Sequence, residues 1–186
     1  MARRAGLIAL ESGNSGSDNS RVDALFRWIE SSALSVWTRE STSVLAYPAI
    51  LSAHTIGMAF AAGVNAAIAL RLLGVSPGIP LAEMRRYTSV LWIGFWLNAA
   101  SGVMLLIAYP TKAMTNPIFY LKLTLIAIGM AIFAVVTRQL SREPALEGWT
   151  LPKKRFVGIA ALVSWGGAIT AGRLLAYTYR HLFAGS

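Results

Sequence analysis

No cysteine occurs among the 186 residues, which excludes disulfides, thiolate metal sites, iron–sulfur clusters and cysteine nucleophiles. Charge is scarce too: Asp, Glu, Lys and Arg make up 13% of the chain, against roughly a quarter in soluble domains. With 55% hydrophobic residues and a mean hydropathy of +0.55, the chain lacks the polar surface that a globule in water needs. Acids are scarcer than bases, eight against seventeen, and none of the eight falls inside an apolar run. That leaves no carboxylate relay of the kind a proton pump carries, and no paired carboxylates for acid–base work. A Gly-rich phosphate loop and a nucleophile–base pair are missing as well.

What is present is uncharged sequence in long blocks: 41–70, 87–111, 123–137 and 156–172. A helix crosses a bilayer in about 20 residues, so the length accommodates about four spans with their loops. The sequence therefore predicts an all-α integral membrane four-helix bundle preceded by an amphipathic interfacial helix. Residues 1–20, rich in Gly, Ser and Asn towards their end, read as a flexible N-terminal tail, with too short an apolar core for a signal peptide. Residues 21–40 read as the amphipathic helix, with Val22, Leu25, Phe26, Ile29, Ala33, Val36 and Trp37 at helical spacing. It lies along a membrane surface or on a partner protein. The bundle occupies 41–186, with spans expected over 44–72, 88–109, 117–137 and 156–178. Gly74 marks the end of the first, Tyr109-Pro110 stops the second, and Asn116-Pro117 starts the third.

Seventeen basic residues in a soluble protein would suggest nucleic acid; here they flank apolar runs and serve anchoring and orientation. Eight of them (Arg71, Arg85, Arg86, Arg138, Arg142, Lys153, Lys154 and Arg155) fall in the two connections on one side. The positive-inside rule then puts both termini of this multi-pass protein outside the cytoplasm.

Inside the spans the polar inventory is short. His54 is the one histidine within an apolar run, about 15 Å along the first span. Ile50, His54, Gly57, Met58, Ala61 and Asn65 share its face, which is small and polar as an interior face should be. Lys122 in the third span and Arg173 in the fourth belong to the same half of the membrane. Each alone could snorkel to the headgroups. Three convergent nitrogen-bearing side chains with no acid at their depth instead ask for an anion. Haem b meets that demand: His54 would be the iron ligand, and Lys122 and Arg173 would meet its propionates. Met58 on the His54 face and Asn98 on the second span complete the cofactor-binding set. His181 lies too far along the fourth span to share the iron, whereas Met104 and Met130 stand at suitable depth.

The residues Tyr47-Pro48, His54, Leu70-Arg71-Leu72-Leu73-Gly74, Gly102 and Asn116-Pro117-Ile118-Phe119-Tyr120-Leu121-Lys122 resemble a family of small bacterial membrane proteins of unknown function. These are distant relatives of the copper-resistance-D-like superfamily, which includes a haem-associated membrane protoporphyrinogen oxidase. The resemblance covers about residues 44–125. Its recurring polar features, a histidine in an early helix and a lysine at a later helix start, match His54 and Lys122. Where the family often has an acid before the Leu-Arg pair, this chain has Ala69.

The function expected from all this is a redox subunit of the bacterial inner membrane, binding haem b at His54 and passing electrons. Its partners would be membrane lipid and other membrane subunits, with no nucleic acid. Two alternatives stand beside it: an anchoring or assembly subunit of a larger complex, and a copper-handling protein. The six methionines are dispersed, which ranks copper last.

Overall fold

The computed structural model describes residues 20–75, 77–78, 80–140 and 148–183; all but the last residue of the tail expected over 1–20, and Arg142 with it, lie outside these. Helix α1 covers 20–30, followed by α2 (Ala33–Glu40), α3 (Tyr47–Leu72), a 3-10 turn (Leu81–Tyr87), α4 (Thr88–Ala108), α5 (Pro110–Met114), α6 (Pro117–Leu140) and α7 (Leu151–Phe183). No strand occurs among the described residues. Four helices are long and apolar enough to cross a membrane: Tyr47–Leu72, Glu83–Ala108, Pro117–Leu140 and Leu151–Leu175.

Local chemistry sets the ends. Pro48 in the first turn of α3 has no N–H to leave unpaired, so the helix starts at Tyr47 and not at 44. Asn116 Oδ1 accepts from the Ile118 N–H at 3.0 Å and opens α6 where the sequence expects it. Gly74 takes φ +89° just past α3, a conformation only glycine adopts without strain. The fourth helix is longer than its apolar run. Pro152 lies in its first turn, and Thr150 carbonyl accepts the Lys154 N–H, so α7 begins at Leu151 and runs on to Phe183. His181 thus belongs to α7, although its side chain is outside the described set.

Lipid tails give helices no hydrophobic reason to associate, so packing in a bilayer depends on close backbone approach and on polar contacts. The α3–α4 seam shows this. A Cβ on Gly57 would sit 2.6 Å from the Asn98 nitrogen, and one on Gly94 would sit 2.6 Å from the Phe60 Cβ. Helix α3 also packs along α7, and α7 along α6. Helices α4 and α6 are joined by α5 at one end, while at the other Trp92 meets Phe133 edge-on at 6.3 Å. The ring order is therefore α4–α3–α7–α6, with α3 and α6 on the diagonal. The apolar core gathers in the half away from α5, around Ile68, Leu72, Leu91, Phe133, Val136 and Leu140.

Hydroxyls within the spans turn inward on their own helices. Thr124, Ser164 and Thr170 each donate to the carbonyl four residues back. With no water available in hydrocarbon, that is the nearest acceptor.

The segment expected as one amphipathic helix over 21–40 is two helices. Ser31 and Ser32 break it, and the Ser32 hydroxyl caps α2 by accepting from the Ser35 N–H at 3.3 Å. The Arg39 guanidinium donates to Glu30 carbonyl at 2.9 Å, and Thr111 hydroxyl to the Glu30 carboxylate at 2.8 Å. The small polar residues Ser35 and Thr38 are fully buried against the bundle end, where Ser35 hydroxyl donates to Ala108 carbonyl at 3.5 Å. The large apolar residues Leu25, Trp28, Leu34 and Trp37 face outward. This docking reverses the usual arrangement of an amphipathic helix on a protein core.

Candidate functional site

Helix α3 carries His54 two turns below Tyr47. Because α3 starts at Tyr47, the imidazole lies about 10 Å below the helix end, shallower than the sequence suggests. Lys122 stands five residues into α6, about 8 Å below its end. Although 68 residues separate them in sequence, the Lys122 Nζ lies 3.4 Å from the His54 Nε2, across the bundle diagonal.

The histidine is held from its other nitrogen. Nδ1 is 3.0 Å from Asn98 carbonyl and 3.2 Å from Ser101 Oγ. An ammonium can only donate, so Nε2 accepts from Lys122 and Nδ1 carries the proton, which it gives to Asn98 carbonyl. Ser101 is free to accept because its own hydroxyl donates to Leu97 carbonyl at 2.6 Å. Asn98 returns the contact: its side-chain amide donates to His54 carbonyl at 2.7 Å. Side chain and backbone are thus exchanged between α3 and α4 in both directions.

Two glycines make room for the pair. A Cβ on Gly102 of α4 would lie 3.1 Å from the His54 Cε1, so a side chain there would push the ring back by a few tenths of an ångström. Gly172 of α7 faces the Lys122 stem, its Cβ position 3.7 Å from Cε. The pair is walled by glycine on both sides and remains half-buried.

Of the residues singled out from sequence, the structure brings together His54, Lys122 and Asn98. Arg173 follows Gly172 by one residue, a turn of about 100° away from the lysine, and its side chain is exposed. It is a surface cation at this level, not a third member of the cluster. Met58 stands one turn further along α3, half-buried, on the same side as His54. Ser101, which the sequence analysis did not single out, joins the site as well. The signal was there: Asn98 and Ser101 are three apart on one helical face of an otherwise apolar span.

In this arrangement the position that an iron would take on His54 is already filled. Iron would need Nε2, and Lys122 occupies it. Met58 shares a helix with His54 and so would lie on the same side of a porphyrin as the imidazole. Met130, suitable by depth, is packed into the apolar core beside Phe133 and Trp165. Among the described residues no group of three or more His, Cys, Asp or Glu could hold a metal ion. What the site can do is offer one positive charge and several hydrogen-bond donors, with no ion pair to an acid among the described residues.

Comparison with known protein families, with curated proteins and with solved structures finds no match.

Proposed function

We propose that the protein is an integral membrane binding protein whose His54–Lys122 pair holds the anionic group of a ligand, a carboxylate or a phosphate. One observation carries this reading: an ammonium and an imidazole meet at 3.4 Å on the bundle diagonal, while no acid falls inside an apolar run and the one at a span end, Glu83, is at the far end of its helix. An unpaired charge in a membrane interior costs several kcal/mol unless something of opposite sign joins it. An anion arriving at Lys122 removes that cost, and it frees Nε2 to accept from a hydroxyl of the same ligand or from water. The resemblance to small bacterial membrane proteins supports the inner membrane as its location. The eight bases in the two connections support an orientation with α1, α2 and the site towards the outside. A cysteine introduced at Thr115 should then react with an impermeant thiol reagent in intact cells, and one at Gly78 should not.

The binding reading is tested by adding phosphate and short-chain carboxylates to detergent-solubilised protein. They should raise the melting temperature of the wild type and leave Lys122→Met unchanged. An absorption spectrum supplies the opposite case. A Soret band that disappears in His54→Ala would put iron on Nε2, make haem b the ligand, and restore the redox reading.

A second reading, an anchoring subunit of a larger membrane complex, draws on the outward apolar face of α1 and α2. Glutamate at Leu25 and Trp28 would release such a complex while leaving the bundle inserted.

A further inference from the structure

Three features of the outer half bear on where the anion comes from. First, α4 and α6 are neighbours in the ring yet have no close backbone seam, unlike α3–α4 and α6–α7. Their separation is bridged by α5 at the outer end and closed at the inner end by the Trp92–Phe133 ring pair. Between those limits Phe95, edge-on to Trp92 at 5.7 Å, extends the aromatic closure by one turn, and beyond it the α4 side towards α6 holds small side chains as far as Leu106. Ala99 lies two turns above Trp92 on the same face, and Gly102 follows it. Second, Lys122 on α6 and the His54 ring against Gly102 both stand at the level of this lateral opening. Third, that level is shallow. Helix α6 has 24 residues, about 36 Å, against a hydrocarbon core of about 30 Å. Lys122 therefore lies only about 5 Å inside the hydrocarbon boundary, within reach of the headgroup layer for a side chain of its length.

We infer that the ligand is an anionic phospholipid of the surrounding leaflet, which enters sideways between α4 and α6 and sets its phosphate on Lys122 with its chains in the gap. This rests on the anion-binding reading and adds the source of the anion. The geometry favours a lipid over a free ion. A dissolved anion would have to pass the α2 end, where Ser35, Thr38 and Ala46 are packed to full burial, whereas the side opening leads straight to acyl chains. His54, held by Asn98 and Ser101, then presents Nε2 to the headgroup hydroxyls that glycerol lipids carry.

The test is mass spectrometry of the full-length protein released gently from detergent after equilibration with phosphatidylglycerol and phosphatidylcholine in equal amounts. Wild type should keep the anionic lipid over the zwitterionic one by about tenfold or more, the factor that one charge-assisted hydrogen bond supports. Lys122→Met should abolish the preference. Ala99→Phe, which plugs the opening and leaves His54 and Lys122 in place, should lose the lipid yet keep its melting-temperature response to inorganic phosphate. Equal retention of the two lipids, or an unchanged preference in Lys122→Met, would overturn the inference. If phosphate raises the melting temperature of wild type and not of Lys122→Met while no lipid is preferred, the anion site stands and its lipid source falls. If neither response appears, both fall.

Discussion

The two halves of the bundle solve helix association in opposite ways. Away from α5, large apolar side chains fill the centre: Phe133, Leu91 and Val136 are almost completely buried, and Trp92 closes on Phe133. Towards α5 and α2 the centre holds an imidazole, an ammonium, an amide and a hydroxyl, walled by Gly102 and Gly172. In water the first half would be the stable one and the second a liability. In lipid the contrast is weaker, because apolar side chains gain little by leaving hydrocarbon for each other. Close fit supports the half away from α5, and hydrogen bonding supports the half beside it. A half built on fit has no reason to carry a charge, so the charge in the other half points to binding.

Substitutions can break this contrast, and the largest effect belongs to neither half but to the seam that joins them. Gly57→Leu drives a side chain into the α4 backbone at Asn98, where even a Cβ is too close. It should cost at least about 3 kcal/mol and prevent a stable bundle, read as loss of the thermal transition in detergent. Next comes Phe133→Ala, which empties the half away from α5 and should cost on the order of 2–4 kcal/mol, measured by unfolding in mixed micelles. Ligand preference should survive it wherever the protein remains folded. Lys122→Met should act the other way in lipid-stripped protein: with no anion present, removing the charge should raise the melting temperature by a few degrees, since an uncompensated internal charge is removed. A fall in melting temperature there would show that the Lys122–His54 contact itself holds the half beside α5 together. The smallest effect is expected from Thr111→Ala, which frees the exposed Glu30 carboxylate and should cost no more than about 1 kcal/mol, seen as faster proteolysis within α1.

Much of the fold could be read from charge-free blocks and from proline and glycine punctuation, because both are local signals. Pro117 and Gly74 mark ends that the structure keeps. Features that depend on tertiary partners were not legible. The Ser31-Ser32 break needs only two serines, but helical periodicity runs through it, and docking of Ser35 and Thr38 decides in favour of two helices. Helix α5 hides in a connection that begins with Pro110 and reads as loop. Depth along a span brought His54 and Lys122 to one level, yet depth says nothing about azimuth. For that reason Arg173, at the same level, is exposed, while Ser101, one turn along from Asn98, touches the ring. The direction of Nε2 was equally out of reach, and it separates an iron ligand from a lysine acceptor.

The exchange between His54 and Asn98 has a mechanical consequence. Each residue's side chain is bonded to the other's backbone, so the two bonds form a short rung that is sensitive to shear. Sliding α4 along α3 by a single residue, about 1.5 Å, would stretch both at once. The imidazole therefore acts as a gauge of helix register, and whatever pulls on its free edge is felt as a load along the Gly57–Gly94 seam one turn away. A nitrogen chemical shift at His54 would read that load directly.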